Sequence, residues 1–270
     1  MELSGNTILI TGGTSGIGLE LATQLSKRNN TILVTGRDRH KLREIQQTLP
    51  GVHTYQSDVS DPAAIVSLYQ RVTHDFPDLN VLMNNAGEMR MLSLNGQHGV
   101  QDIGREIDIN LLGPVRMVEQ FLPFLTTKRQ AAIINTSSGL AFVPLPSAPI
   151  YCATKAAIHS YTQSLRVQLH GTPVKVFEVA PPPTSTPLMD NFGSDALNSQ
   201  SSGVMNVDKM VRAALRGLEK DTEEIRPGVS NVLKVMSRLA PTLMLRQLSR
   251  PVARELAKTR LMGVQPEATR

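Results

Sequence analysis

The chain has 270 residues, 40% hydrophobic but only 4% aromatic and without tryptophan, enough to bury a large aliphatic core in one or two α/β domains. Its single cysteine, Cys152, excludes an intrachain disulfide, argues against a cysteine-based metal site and fits a reducing cytosol. The net charge of +5 is uneven: residues 226–270 hold nine of the 28 Lys/Arg and two of the 23 Asp/Glu, a balance of +7, leaving −2 for the first 225.

Thr7-Ile8-Leu9-Ile10 reads as a short buried strand ending at a glycine cluster, followed by an amphipathic helix from Ile17 to Arg28. Thr31–Val34 is a second strand and Arg39–Leu49 a second helix. Val52–Gln56 is a third strand; Asp61-Pro62 then opens a helix over Ala63–Phe76. Leu79–Met83 predicts a fourth strand, Arg105–Leu125 one long helix, and Ala131–Asn135 a fifth strand. Ile150–His170 is another long helix and Val174–Val179 a sixth strand. Alternating strands and helices imply βαβ units, so the expected fold is α/β: a Rossmann-type, doubly wound, mainly parallel sheet of about seven strands with helices on both faces. A single domain is expected over residues 1–225, with the last strand and a basic amphipathic extension in 226–270.

Two stretches break this rhythm. Residues 181–205, rich in Pro, Ser, Asn and Gly, read as a loop after a strand's carboxyl end, where open α/β sheets bind ligands, which favours a lid. From Lys234 to Arg260, leucines, valines and methionines mix with basic residues, and Pro241 and Pro251 divide the stretch into short helices. Helices packed on the body with solvated charges are the favoured reading, with contact to an anionic membrane surface or a partner subunit as the alternatives. No run approaches the roughly 18 apolar residues of a membrane span. The N-terminus shows no basic region followed by an apolar stretch, so a cytoplasmic protein is expected.

Thr11-Gly12-Gly13-Thr14-Ser15-Gly16-Ile17-Gly18 joins the first strand to the first helix. Glycines there permit a tight turn and close approach of a pyrophosphate to the helix N-terminus, where N–H groups and the dipole favour negative charge. The loop lacks the Lys and Ser/Thr that end a phosphate-binding NTPase loop. Tyr151 and Lys155, four apart on a helix, project toward one point, and a nearby ammonium lowers a phenol pKa from its usual value of about 10. That suits an acid/base pair, although the spacing alone arises by chance in many helices.

Taken together, Thr11-Gly12-x-x-x-Gly16-x-Gly18, Asp58-Val59, Asn84-Asn85-Ala86-Gly87, Asn110, Ser138 and Tyr151-x-x-x-Lys155 resemble the short-chain dehydrogenase/reductase family, in its single-domain branch, over roughly residues 5–190. The resemblance implies an oxidoreductase that interconverts ketones or aldehydes and alcohols with a nicotinamide dinucleotide. It places Gly12, Gly16, Ile17 and Gly18 on the cofactor phosphates, with Thr14 and Ser15 in the same loop. Asp58 and Val59 would meet the adenine, Asn85, Ala86 and Gly87 would lie beside the adenosine ribose, and Pro181 and Thr186 near the nicotinamide carboxamide. Ser138, with Ser137 as the competing choice, would bind the carbonyl, and Tyr151 would exchange the proton. Lys155 would hold the nicotinamide ribose and keep Tyr151 acidic, while Asn110 would hold a relay water. Gly36 occupies the position of the acid in NAD-preferring members, with Arg37 next, which favours NADP(H) over NAD(H). Ser15, where many NADP-preferring relatives are basic, and Asp38, able to pair with Arg37 or reach a ribose, count the other way.

Pro181-Pro182-Pro183 replaces the family's usual Pro-Gly, and this version, with Pro227-Gly228-Val229-Ser230-Asn231, resembles a bacterial subgroup that includes the oxidoreductase of D-alanylation operons. The apolar run Leu140–Pro146 points to a hydrophobic substrate. The helices 105–125 and 150–170 resemble the family's dimer-forming pair, with Ile107, Leu111 and Val118 as apolar contacts, so a homodimer or homotetramer is expected. Neither a metal site nor nucleic-acid binding is expected. A dinucleotide-binding regulator with little activity is the alternative, although a pure binder would not need Asn110, Ser138, Tyr151 and Lys155 together.

Overall fold

The computed structural model describes residues 1–92, 100–191 and 204–250. Seven parallel strands form one sheet in the order β3-β2-β1-β4-β5-β6-β7. They are β1 (Thr7–Ile10), β2 (Thr31–Gly36), β3 (Val52–Gln56), β4 (Leu79–Asn84), β5 (Ala131–Thr136), β6 (Val174–Val179) and β7 (Glu224–Ile225). The helices are α1 (Gly16–Ser26), α2 (Arg39–Thr48), α3 (Pro62–Asp75), α4 (Val100–Ile107), α5 (Gly113–Leu125), α6 (Pro149–Gln168), α7 (Val207–Glu219) and α8 (Val229–Leu239). A further helical stretch occupies 241–250.

Strand alternation divides the core in two. Ile8, Ile10, Ile32 and Val34 point to the face covered by α1, α2 and α7 through Leu21, Leu25, Leu42, Ile45, Val211 and Leu215. Leu9, Leu33 and Leu82 point to the other face, covered by α3, α5 and α6 through Leu68, Val72, Phe121, Leu125 and Leu165. Strand order reverses between β1 and β4, and the loops at their carboxyl ends meet there, as expected for a ligand crevice in a doubly wound sheet.

Two expectations need correction. The predicted helix Arg105–Leu125 is not continuous: a π-helical turn, Asp108–Leu112, separates α4 from α5. Pro114 has no N–H to offer the Asn110 carbonyl four residues earlier, so regular α-helical bonding fails at that point. The last strand lies at Glu224–Ile225, before residue 226, and pairs Glu178 with Glu224 and Val179 with Ile225. Two residues carry too little periodicity to be found in sequence.

Of the loop expected to be a lid, residues 192–203 lie outside the described part, as does the tail from Pro251 to Arg270. The ends of the loop are tied: Thr184 and Met205 form a parallel bridge, with Ser185 N–H donating to Met205 O (2.9 Å) and Met205 N–H to Pro183 O (2.8 Å). No described helix is long and apolar enough to cross a membrane.

Candidate active site

The glycine loop is positioned from below by Thr11. Its Oγ1 accepts from the N–H groups of Asn85 (3.0 Å) and Ala86 (3.1 Å), and Asn85 Nδ2 donates back to the carbonyls of Thr11 (3.1 Å) and Gly12 (3.2 Å). These bonds lock the carboxyl ends of β1 and β4 together. Gly12 has φ +64, and a Cβ there would stand 2.7 Å from Ala86 Cα, so the two loops approach closely only because residue 12 is glycine.

One cavity of about 660 Å³ runs along these carboxyl ends. At its first end stand Gly12, Thr14, Ser15, Gly16, Ile17, Arg37, Asp58, Val59, Asn85, Ala86 and Gly87; toward the other end are Ser138, Tyr151, Lys155, Pro181 and Thr186. Gly18 and Asn110, the other two residues singled out in sequence, are not on its wall. Gly18 packs behind the loop, where an added Cβ would meet the Gly12 carbonyl oxygen at 2.3 Å. A turn, a groove and a helix N-terminus in this arrangement fit a dinucleotide's pyrophosphate.

At the end of β2, a Cβ on Gly36 would sit 2.5 Å from Thr14 Cγ2, so the methyl of Thr14 occupies the space an acidic side chain would need. Asp38 accepts from His40 N–H (2.7 Å) and Lys41 N–H (3.3 Å), capping α2. Those bonds hold its carboxyl below the usual carboxylate range. Arg37 lies 3.9 Å from Asp58 Oδ2 and 4.0 Å from Glu88 Oε2, half-exposed at the rim. Lys41 also lines the cavity. The sequence offered no signal for it beyond its position one turn into α2.

Tyr151 and Lys155 lie on the buried side of α6, with the ammonium 5.6 Å from the centre of the phenol ring. Lys155 Nζ donates to the Thr136 carbonyl (2.9 Å). Burial pushes the phenol up to about 12, against a smaller lowering by the Ser138 hydroxyl, and brings the ammonium down to about 8. Burial disfavours both charges, and at the phenol it is the largest influence. The two serines diverge. Ser138 faces the cavity and caps the short 3₁₀ turn Gly139–Ala141 by accepting from Leu140 N–H (3.1 Å), whereas buried Ser137 donates to Glu178.

Asn110 is fully buried in the π turn. Its Oδ1 accepts from Glu88 N–H (2.8 Å) and its Nδ2 donates to Glu88 O (2.7 Å) and Thr154 Oγ1 (3.3 Å). The carboxamide thus clamps the segment that follows Gly87. A Cβ on Gly87 would stand 3.4 Å from Asn110 Oδ1 and 3.6 Å from Lys155 Nζ, so Asn110 borders the lysine across that glycine.

Beyond Tyr151 the wall is apolar: Met89, Leu140, Leu145, Leu188, Met189, Leu233 and Leu248. Cys152 is buried beneath it, its Sγ accepting from Leu145 N–H (3.2 Å), and burial pushes its thiol up. Behind the Ser138 turn lies a polar cluster that sequence reasoning missed. Glu178 contacts His159 Nδ1 (2.8 Å), and Lys234 Nζ contacts His159 Nε2 (3.0 Å), Glu224 (3.3 Å) and the face of Phe142 (4.5 Å). Among the described residues, His159, Glu178 and Glu224 are the one group of such side chains close enough to share a metal ion, and Lys234 already supplies a cation to two of them.

Comparison with known proteins agrees with this geometry. Residues 6–197 match the family model described as short chain dehydrogenase. The chain is 40% identical over 228 residues to the uncharacterized oxidoreductase DltE of Bacillus subtilis, covering 83% of this chain and 89% of that protein. It is 32% identical over 175 residues to the NADP-dependent 3-hydroxy acid dehydrogenase YdfG of Salmonella typhi, covering 64% of this chain and 71% of that one. A crystal structure of a short chain dehydrogenase from Burkholderia cenocepacia in complex with NADP superposes with a TM-score of 0.79 at 26% identity, over 92% of this chain and 99% of the other. The subgroup suggested by the proline run thus reappears in the similarity to DltE. By matched span, identity and shared architecture, the chain belongs to the short-chain dehydrogenase family.

Proposed function

We propose that the protein is an NADP(H)-dependent oxidoreductase that interconverts an apolar ketone or aldehyde with its alcohol. The observation that carries the reading is the single cavity with a phosphate-binding turn at one end and Ser138, Tyr151 and Lys155 at the other. The bound dinucleotide would supply or accept the hydride. The chain's own groups would do the rest. Ser138 and Tyr151 would donate hydrogen bonds to the carbonyl oxygen, polarising it where alkoxide charge develops. A phenol held at about 12 is protonated at neutral pH, which suits delivery of its proton in the reductive direction. Lys155, buried beside the ring, would bind the nicotinamide ribose. The Asn110 carbonyl, denied its usual N–H partner by Pro114, offers an acceptor for a relay water next to Lys155.

Preference for the 2′-phosphate is supported by Arg37 and Lys41 at the adenine end, by Thr14 filling the space beside Gly36, and by the commitment of Asp38 to α2. Substrate class is supported by the wall beyond Tyr151: Lys155 is the only basic residue the described cavity presents there. A hydroxy acid of the kind used by the Salmonella relative would find no second cation for its carboxylate. For assembly, a homodimer or homotetramer along α4, α5 and α6 fits exposed Ile107 on α4 and Val167 on α6, whereas Val118 is spent in the core.

The decisive experiment follows NADPH oxidation over a panel of aliphatic and aromatic carbonyls. Wild type should turn over, and Tyr151→Phe should lose activity while still binding NADPH. A wild type inactive across the panel would instead indicate a dinucleotide-binding regulator.

A further inference from the structure

We propose that the outer faces of α8 and of the helix at 241–250 form a docking surface for an anionic lipid bilayer. Of the ten large hydrophobic side chains exposed among the described residues, six lie between Val229 and Leu245, so the exposure is concentrated. On α8, Val232, Val235 and Leu239 are 52%, 47% and 75% exposed and, at i, i+3 and i+7, share one side of the helix. The opposite side buries Ser230, Leu233 and Lys234 against the body. α8 is therefore apolar on its outer side as well as partly on its inner one, which a helix that merely packs on a domain does not require. On the next helix, exposed Leu243, Arg246 and Arg250 repeat the same spacing.

Charge selects the occupant. From Arg226 to Arg250 the chain has five basic residues and no acidic one. Lys234 and Arg226 are paired with Glu224, but Arg238, Arg246 and Arg250 are exposed and have no acidic partner among the described residues. A second copy of the chain would bring three more arginines and no acidic residue of this segment to the same patch, because a two-fold interface uses one patch twice. The chain's own continuation is a poor cover, since residues 251–270 add four basic and two acidic side chains. Apolar residues interleaved with unpaired arginines fit the boundary between acyl chains and anionic headgroups.

The surface also adjoins the cavity. Val229 and Leu233 of α8, and Gln247 and Leu248 of the following helix, line its wall. Docking by the outer face would hold that wall one helix diameter, roughly 10 Å, from the membrane. The docking itself does not depend on the redox reading.

The test is co-sedimentation of the full chain with vesicles of phosphatidylglycerol and phosphatidylcholine, against vesicles of phosphatidylcholine alone. Wild type should partition to the anionic vesicles, and added salt should weaken it. Leu239→Asp with Leu243→Asp, and separately the Arg238→Glu, Arg246→Glu, Arg250→Glu triple variant, should each reduce partitioning at least about tenfold. NADPH binding and melting temperature serve as folding controls and should stay at wild-type values in both variants. Absence of wild-type partitioning, or equal partitioning by the variants, overturns the proposal. So does a halved mass of the Leu239/Leu243 variant by light scattering, which would identify a second copy as the cover. Binding only by a chain ending at Arg250 would overturn it too, identifying the chain's own tail as the cover. An enzyme inactive on every carbonyl would leave the partitioning result intact.

Discussion

Lys234 Nζ lies 3.0 Å from His159 Nε2, while His159 Nδ1 lies 2.8 Å from Glu178 Oε2. An ammonium can only donate, so Nε2 accepts and Nδ1 carries the proton given to Glu178. The chain Lys234–His159–Glu178–Ser137 thereby runs from α8 to the residue beside Ser138. Lys234→Met should leave Glu224 with Arg226 alone and His159 Nε2 without this donor, and destabilise the protein by about 1.5–3 kcal/mol. Urea unfolding measures that loss. With α8 loosened, KM for the carbonyl should rise while the Kd for NADPH stays put; a purely structural fault would lower both affinities.

Gly139 and Ser230 make a second coupling across the same contact. A Cβ on Gly139 would stand 2.6 Å from Ser230 Oγ, and that fully buried hydroxyl has no hydrogen-bond partner among the described residues. Gly139→Ala should displace the Ser138 turn and reduce kcat/KM about tenfold or more, roughly 1.4 kcal/mol of transition-state stabilisation. Adding Ser230→Gly should restore most of it. Ser230→Ala alone should be neutral or stabilising by about 0.5–1.5 kcal/mol, since an unpaired buried hydroxyl is removed.

Cofactor discrimination should reside in Arg37 and Lys41. Charge reversal of either, to Glu, should raise KM for NADPH about tenfold or more and leave NADH within about twofold. Gly36→Asp should impair use of both cofactors, because the carboxylate collides with Thr14. Paired with Thr14→Gly, it should shift preference toward NADH. Initial rates with each cofactor separate these outcomes.

Lys155 makes the stability of the cofactor-free protein depend on pH. Its ammonium is held at about 8, against 10.5 in the ordinary state, so between those values the folded chain binds fewer protons than the unfolded one. Stability contributed at this site therefore rises with pH across that window. Between pH 7.5 and 9.5, wild type should gain about 1–2 kcal/mol relative to Lys155→Met, which lacks the titrating group. Tyr151 opposes this only above its ordinary value of 10. A flat difference between the two urea curves would contradict the buried-ammonium picture.

Much of the frame was legible because it is periodic. β1, β3 and β6 begin and end where the residues place them, and the glycine loop announces itself between strand and helix. Tyr151, Ser138 and the glycine-loop residues were singled out through spacing within one segment and family resemblance. What escaped depends on distant contacts. The π turn at Asn110 follows from Pro114 acting on a carbonyl four residues back, a local conflict that a helical pattern hides. Lys41, Ser230 and Lys234 look like ordinary helix residues until α2 and α8 are brought to the cavity and the Ser138 turn. Gly18 was assigned to phosphates by family resemblance; its close approach to the Gly12 carbonyl emerges only from the folded loop. At Tyr151, spacing shows which charges are near, and not how much water each has lost.

The bridge between Thr184 and Met205 makes the loop it closes a replaceable cassette. Its stem is fastened by backbone bonds at residues 183–185 and 205, and those bonds are indifferent to side chains. Length and composition between the two anchor points can therefore drift through insertion, deletion or recombination while Pro181 keeps its contact with Gly139. Because Thr186 within it lies against Gly16 while Leu188 and Met189 line the cavity, such drift would reach both the glycine turn and the apolar wall.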